Sequence, residues 1–318
     1  MATALVPEER RVTVRKAAFA VAGVAAYLAL IYLANAPYYV GLEPFWIAEL
    51  WNYGVAAALL GLIHLATLRV KRPLPALPRD LPAVWWLVGI LLVVAGLTTL
   101  FWIAVTTHWG PLFRLLAPDH LIGARLGLPS DVVDRLDNVV GGGLLLTLVA
   151  TGLSLWRVRR HGAIGFRFGW LDFSLGFGLI IAWIAGTALR AKLFSPPVQP
   201  YVLLPVSLWA LPLFLLQMLV NGLQEETLFR GYVLPQLAAL LRRPWLAMLV
   251  MIVLFDAMHL PSMIIGQGMP WRPVVLDLLL PAQPFALVVG YAYWRSRSLV
   301  PGILLHTYTT LWSSFLFL

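Results

Sequence analysis

Residues 83–107 read AVWWLVGILLVVAGLTTLFWIAVTT, a run with no charged side chain. A helix needs about 20 predominantly apolar residues to cross the hydrocarbon core of a bilayer. Working outward from this run, similar apolar stretches recur at roughly 17–35, 46–68, 138–156, 173–194, 203–223, 245–260, 274–294 and 299–318, each near the length a bilayer demands. Backbone groups that face lipid must pair within their own segment, so open sheets and lipid-exposed loops are excluded. The alternating pattern of a membrane barrel is absent. The expected fold class is therefore all-α, a polytopic α-helical transmembrane bundle of about eight to nine spans.

Composition agrees with lipid as the solvent. Hydrophobic residues make up 61% of the 318 positions and charged residues 12%, whereas soluble domains run about half apolar and a quarter charged. The absence of cysteine excludes disulfides, thiolate nucleophiles and Cys-ligated metal or iron–sulfur centres. A net charge of +9 does not point to nucleic acid, because no basic soluble module interleaved with aromatics is present. The basic residues fall in short loops beside spans, where they set orientation and meet anionic lipid. Met1–Lys16 is polar and basic, and the apolar run after it is too long for a signal-peptide core.

With Met1 placed inside, the inner face collects Arg10, Arg11, Arg15, Lys16, Arg69, Lys71, Arg72, Arg79, Arg157, Arg159, Arg160, Arg167, Arg230, Arg242, Arg243, Arg295 and Arg297. The outer face holds Arg114, Arg125, Arg135, Arg190, Lys192 and Arg272. This bias predicts a multi-pass protein of the cell membrane with a cytoplasmic N-terminus. Residues 111–138 form the longest polar stretch and suggest a short interfacial helix. Gly176 and Gly178, like Gly141, Gly142 and Gly143, suggest close helix packing. The expected organisation is an N-terminal transmembrane region over 1–172 and a core that carries the chemistry over 173–318. Pro196, Pro197 and Pro200 punctuate the second part.

Chemistry concentrates in three segments. Asn221–Leu237 reads NGLQEETLFRGYVLPQL between apolar runs. Charged groups at mid-span cost roughly 2.5–3.5 kcal/mol each on insertion scales, which makes them functional candidates. Glu226 and Arg230 stand at i and i+4 and can pair on a helix. Glu225 then has no helical partner and can serve as a general base on water. Leu254–Ser262 reads LFDAMHLPS and places Phe255 and His259 on one face, with Asp256 one turn from the imidazole. Arg242–Arg243–Pro244 reads as a hairpin turn. Glu225 lies about 17 residues before it and His259 about 16 after, so at about 1.5 Å per residue both sit roughly 25 Å from the turn. Ser298–Thr310 reads SLVPGILLHTYTT, with His306 and Thr310 at i and i+4.

Together these segments resemble the CAAX-protease and bacteriocin-processing family of intramembrane endopeptidases, also called the Abi family. Its pattern is EExxxR, FxxxH and HxxxN or HxxxD. The first corresponds here to Glu225, Glu226 and Arg230, the second to Phe255 and His259, and the third to His306. The likeness covers about Pro200 to Leu318. Thr310 departs from it by replacing the family's last Asn or Asp. The resemblance implies peptide-bond hydrolysis within or near the membrane, with membrane lipid and a membrane-associated protein or peptide as partners. It implies Glu225 as general base, His259 as water-positioning group and His306 at the oxyanion. Thr310 adds one hydroxyl, while Glu226 and Arg230 organise the helix. It also allows the alternative of a divalent metal such as zinc held by Glu225, His259 and His306. No HExxH zinc-protease helix is present.

Two other function classes stay open on the sequence. A non-catalytic relative, acting as a membrane scaffold or bacteriocin-immunity protein, is the reading that Thr310 favours. A proton-coupled carrier would line a path with Glu225, Glu226 and His259, but calls for paired halves that the chain does not show.

Overall fold

The computed structural model describes residues 45–70, 77–107, 144–158, 165–194, 222–271 and 284–315, together with the single positions 26, 72, 220 and 274. The expected spans at 17–35, but for position 26, and 203–223, but for its last residues, lie outside the described residues. So do the interfacial segment 111–138, the Gly141–Gly143 run and the side chain of Thr310.

All described elements are helical. In chain order they are α1 (Phe45–Ala66), α2 (Leu81–Thr106), α3 (Leu144–Val158), α4 (Trp170–Phe194), α5 (Leu223–Glu225) and π1 (Glu226–Val233). There follow α6 (Leu234–Leu241), α7 (Pro244–Ala257), π2 (Ser262–Gly266), α8 (Phe285–Ser296) and α9 (Val300–Phe315). The stretch 83–107 forms α2. Its start is fixed by Asp80, whose carboxylate accepts from the Ala83 N–H at 3.0 Å, with Pro82 in the first turn. Its outward face carries Trp85, Leu92 and Leu100, all exposed, as suits a helix with an apolar solvent.

The span count is coarser than expected. Among the described residues three helices are long and apolar enough to cross a membrane: Leu81–Ala104, Trp170–Arg190 and Pro244–Gly266, with a shorter apolar helix at Trp51–Ala66. Of the stretch expected as a span at 274–294, residues 275–283 lie outside the described residues, and α8 begins at Phe285, directly after Pro284.

Two apolar clusters share α8. On one side Val288, Val289 and Ala292 pack with Ala56, Leu59 and Ile63 of α1, Leu175 and Leu179 of α4, and Leu305 of α9. On the other, Ala286 and Tyr293 join Leu228, Phe229 and Tyr232 of π1, Met248, Met251 and Phe255 of α7, and Ile90 and Val94 of α2. Helix α9 lies along α4. Gly176 makes that approach possible, since a Cβ there would stand 2.6 Å from Leu304 Cδ1 and 3.2 Å from Pro301 Cα. Gly178 has nothing within 4 Å of its would-be Cβ, so close packing belongs to Gly176 of that pair.

At one end of the bundle three loops are tied together. Arg72 Nη1 donates to buried Asp172 at 2.7 Å and to the Ser296 carbonyl at 2.9 Å. Arg297 Nε donates to the Arg72 carbonyl, and Ser298 Oγ to that of Arg167. The ends of α1 and α8, the start of α4 and the α8–α9 turn are thereby joined. That gathers Arg72, Arg167 and Arg297 at one end of the bundle, where Arg295 also bonds to Thr67. Arg230 is a correction to the inner-face assignment: it is fully buried beside Glu226 rather than in an interfacial loop.

Candidate active site

Glu225 and Glu226 stand where α5 passes into π1, a stretch whose backbone hydrogen bonds run i→i+5. Such turns are rare and recur at functional sites. The sequence offered a physical reason. Pro235, at the start of α6, has no N–H to donate and crowds the carbonyl four residues back, so the helix widens upstream of it. Pro261 stands on the other side of π2, immediately before it.

In π1 the Glu226 carboxylate is buried and accepts at one oxygen, Oε1, from two donors. Arg230 Nη1 lies at 3.1 Å and His306 Nδ1, on α9, at 3.0 Å. A carboxylate acceptor at Nδ1 means that this nitrogen carries a hydrogen. The guanidinium of Arg230 also donates from Nη2 to the Ala286 carbonyl at 3.4 Å and lies over the Phe255 ring at 4.4 Å. Gly302, one turn before His306, admits the carboxylate: a Cβ there would meet Glu226 Oε2 at 2.7 Å.

Glu225 has a different environment. Its Oε2 stands 3.6 Å from His306 Nε2 and 3.9 Å from His259 Nε2. Both exceed a direct hydrogen bond and suit a bridging water. His259 is set by its own helix, since Nδ1 donates to the Phe255 carbonyl at 2.9 Å. That bond orients the ring and turns Nε2 toward Glu225. Side-chain exposure falls from 43% at His259 through 19% at Glu225 to 9% at His306, so His259 forms the mouth and His306 the floor. Phe255 packs against both imidazoles, at 5.0 Å and 6.2 Å between ring centroids.

Of the residues singled out in the sequence, Glu225, Glu226, Arg230, His259 and His306 come together from π1 and its α5 approach, α7 and α9. The hairpin reading placed Glu225 level with His259, and the turn at Arg242–Arg243 is present, with Arg242 in the left-handed conformation at φ 53°. Thr310 follows on α9 with its side chain outside the described residues. Three residues at the site carried no motif: Gly302, Ala286 and Phe285, whose ring centroid lies 5.2 Å from that of His306. Only Gly302 left a trace, as a Pro–Gly pair one turn before His306.

Two imidazole Nε2 atoms and a carboxylate oxygen are donors of the kind zinc accepts. Their placement does not complete a metal cage: among the described residues no group of three or more His, Cys, Asp or Glu side chains could hold a metal ion.

No curated protein and no solved structure matches the chain. A family does, over the segment that holds all three motifs. Residues 207–312 match the Rce1-like family, described as type II CAAX prenyl endopeptidase Rce1-like. This is the grouping the EExxxR, FxxxH and His306 motifs resemble, and the match spans the segment that holds them.

Proposed function

We propose that the chain is an intramembrane endopeptidase in which Glu225 activates water for attack on a peptide carbonyl. The observation that carries the proposal is the position of Glu225 Oε2 between two imidazole Nε2 atoms, at 3.6 Å and 3.9 Å, inside an apolar bundle. A water bridging Glu225 and His259 gives its proton to the carboxylate, and its oxygen attacks the carbonyl carbon. His259, with its hydrogen on Nδ1, offers the Nε2 lone pair to orient that water. The carbonyl oxygen becomes an oxyanion, and His306 Nε2 is the donor nearest to it. Since Glu226 already holds Nδ1–H, His306 donates from Nε2 only when doubly protonated. Arg230 balances Glu226, and a proton on His306 balances Glu225, so the buried site reaches neutrality. Collapse breaks the C–N bond, and the amine leaves with the proton held by Glu225. Positioned base catalysis contributes about 10²–10⁴-fold to such a step.

The substrate class follows from surroundings and family. The site lies among membrane-length helices, so the substrate is a membrane-associated protein or peptide, with lipid as the solvent and nucleic acid as no partner. The family description reads CAAX prenyl endopeptidase, which makes a farnesylated CAAX peptide the first probe. The protein is placed in the cell membrane with the Arg72–Arg297 end facing the cytoplasm.

The test uses the full chain in lipid nanodiscs with an internally quenched farnesylated CAAX peptide. The expected result is a single cleavage, lost in Glu225→Ala and His259→Ala. Chelators leave the rate unchanged under this chemistry; loss on chelation and return with zinc would move Glu225, His259 and His306 to metal ligands. A second reading, a scaffold or immunity protein without turnover, is favoured by Thr310 in place of Asn or Asp. Inactive wild-type chain with activity in Thr310→Asn would establish it.

A further inference from the structure

Two glycines lie where α9, which carries His306, meets the turn that carries Glu225 and Glu226. Gly302 is on α9, one turn before His306. A Cβ there would stand 2.7 Å from Glu226 Oε2, 3.2 Å from Glu226 Cδ and 2.7 Å from Val289 Cγ1 of α8. Gly222 comes directly before α5, one turn ahead of Glu225 and Glu226. A Cβ there would stand 2.7 Å from Thr307 Oγ1, 3.0 Å from the Ile303 carbonyl oxygen and 3.3 Å from Ile303 Cγ2. The two glycines are reciprocal. Gly302 of α9 admits a side chain of π1, and Gly222 beside α5 admits the turn of α9 that carries His306.

Backbone conformation calls for glycine at neither position. Gly222 has helical dihedrals, φ −62° and ψ −48°, and Gly302 lies within α9 without a positive φ. Glycine ranks below every residue but proline in a helix, so what excludes a larger residue is the contact. Non-bonded carbons settle about 3.5–4.0 Å apart, so a methyl at either point forces a shift of roughly 0.5–1 Å. At Gly222 the opposing atoms include the Ile303 backbone, and Thr307 is fully buried. At Gly302 the displaced group is the Glu226 carboxylate, which Arg230 and His306 hold. The 3.0 Å bond from His306 Nδ1 to Glu226 Oε1 crosses this contact, as does the 3.6 Å separation of His306 Nε2 from Glu225 Oε2. Both distances follow the separation of the two segments.

We infer that Gly222 and Gly302 are positioning residues: bare backbone at these two points sets how closely α9 approaches the Glu225–Glu226 turn, and so the distance from both carboxylates to His306. Neither glycine touches the reacting atoms; each acts through the segment it lets in. The consequence for turnover rests on the endopeptidase reading; the consequence for the spacing does not.

The experiment reads Gly222→Ala and Gly302→Ala in two ways, each in the full chain in nanodiscs. On the farnesylated peptide both are expected to lower kcat about tenfold with KM unchanged, as misplacement of a reacting group does. In ¹⁵N NMR of the histidine-labelled chain, the His306 signals are identified by their loss in His306→Gln. Both variants are expected to move the His306 Nδ1 signal, because the bond to Glu226 changes length. Gly178→Ala, whose Cβ meets nothing within 4 Å, is expected to match wild type in rate and signal. If both variants fail to fold, Gly222→Ala combined with Thr307→Ala, which removes the nearest opposing atom, is compared with Thr307→Ala alone. The double variant is then expected to show the lower kcat and a moved signal. An unmoved His306 signal in the folded variants would overturn the inference, whatever the rate. A wild type that cleaves nothing removes the endopeptidase reading and leaves the His306 signal to decide the spacing.

Discussion

Glu225 and Glu226 are neighbours in sequence and opposites in environment. Glu226 is 1% exposed and bound to Arg230 and His306; Glu225 is 19% exposed and has no hydrogen-bond partner at Oε2. Removing one partner of a buried ion pair leaves the other charge uncompensated, at a cost of about 3–5 kcal/mol. Glu226→Gln is therefore expected to lower unfolding stability by about 3 kcal/mol, measured by denaturant titration in micelles. Glu225→Gln is expected to stay within about 0.5 kcal/mol of wild type. Equal stability of the two variants would contradict the assignment of roles. At this scale the sequence was most informative where partners share a helix. Spacing pointed to Glu226–Arg230 directly, and a turn at Arg242–Arg243 put Glu225 level with His259. It was silent on the Glu226–His306 bond, which spans 80 positions. Periodicity speaks about the face of one helix, not about which other helix faces it.

Elements explain how those side chains reach one another. The widened turn of π1 was not read from the sequence, although Pro235 supplies its local cause. A proline inside an apolar run signals a break or kink without saying which carbonyls rearrange. Three spans were legible, because length and apolarity set them, as at 83–107. Helix α8 was less so: it begins at Phe285 behind Pro284, and its apolar face meets two clusters rather than lipid alone. The α4–α9 contact gives a direct test. Leucine at Gly176 would drive its Cβ into Leu304 and the Pro301 backbone, whereas a Cβ at Gly178 would meet nothing within 4 Å. Overpacking of this kind costs about 1–3 kcal/mol. Gly176→Leu is expected to lose that much stability, and cleavage with it, because α9 carries His306. Gly178→Leu is expected to match wild type in both. Thermal unfolding of the two variants in parallel reads the difference, and tolerance of both would contradict the packing of α9 on α4.

For the whole molecule, two clusters built on α8 join the helices before the family match to the helices within it. The loops clasped by Arg72 and Asp172 fix the end from which α9 departs toward the site. A chain without native cysteine makes the orientation simple to read. A single cysteine in place of exposed Arg243, on the α6–α7 turn, is expected to react with a membrane-impermeant maleimide in inverted vesicles and not in intact cells. Labelling of intact cells would reverse the proposed topology.

The central claim is that Glu225, aimed at two imidazoles inside lipid, activates the attacking water. The rate at which Glu225→Gln cleaves the farnesylated peptide, at equal folded protein in nanodiscs, tests it most directly. The account expects a fall of at least about a hundredfold with unfolding stability unchanged. A rate within about twofold of wild type, far short of what loss of a general base costs, would contradict it.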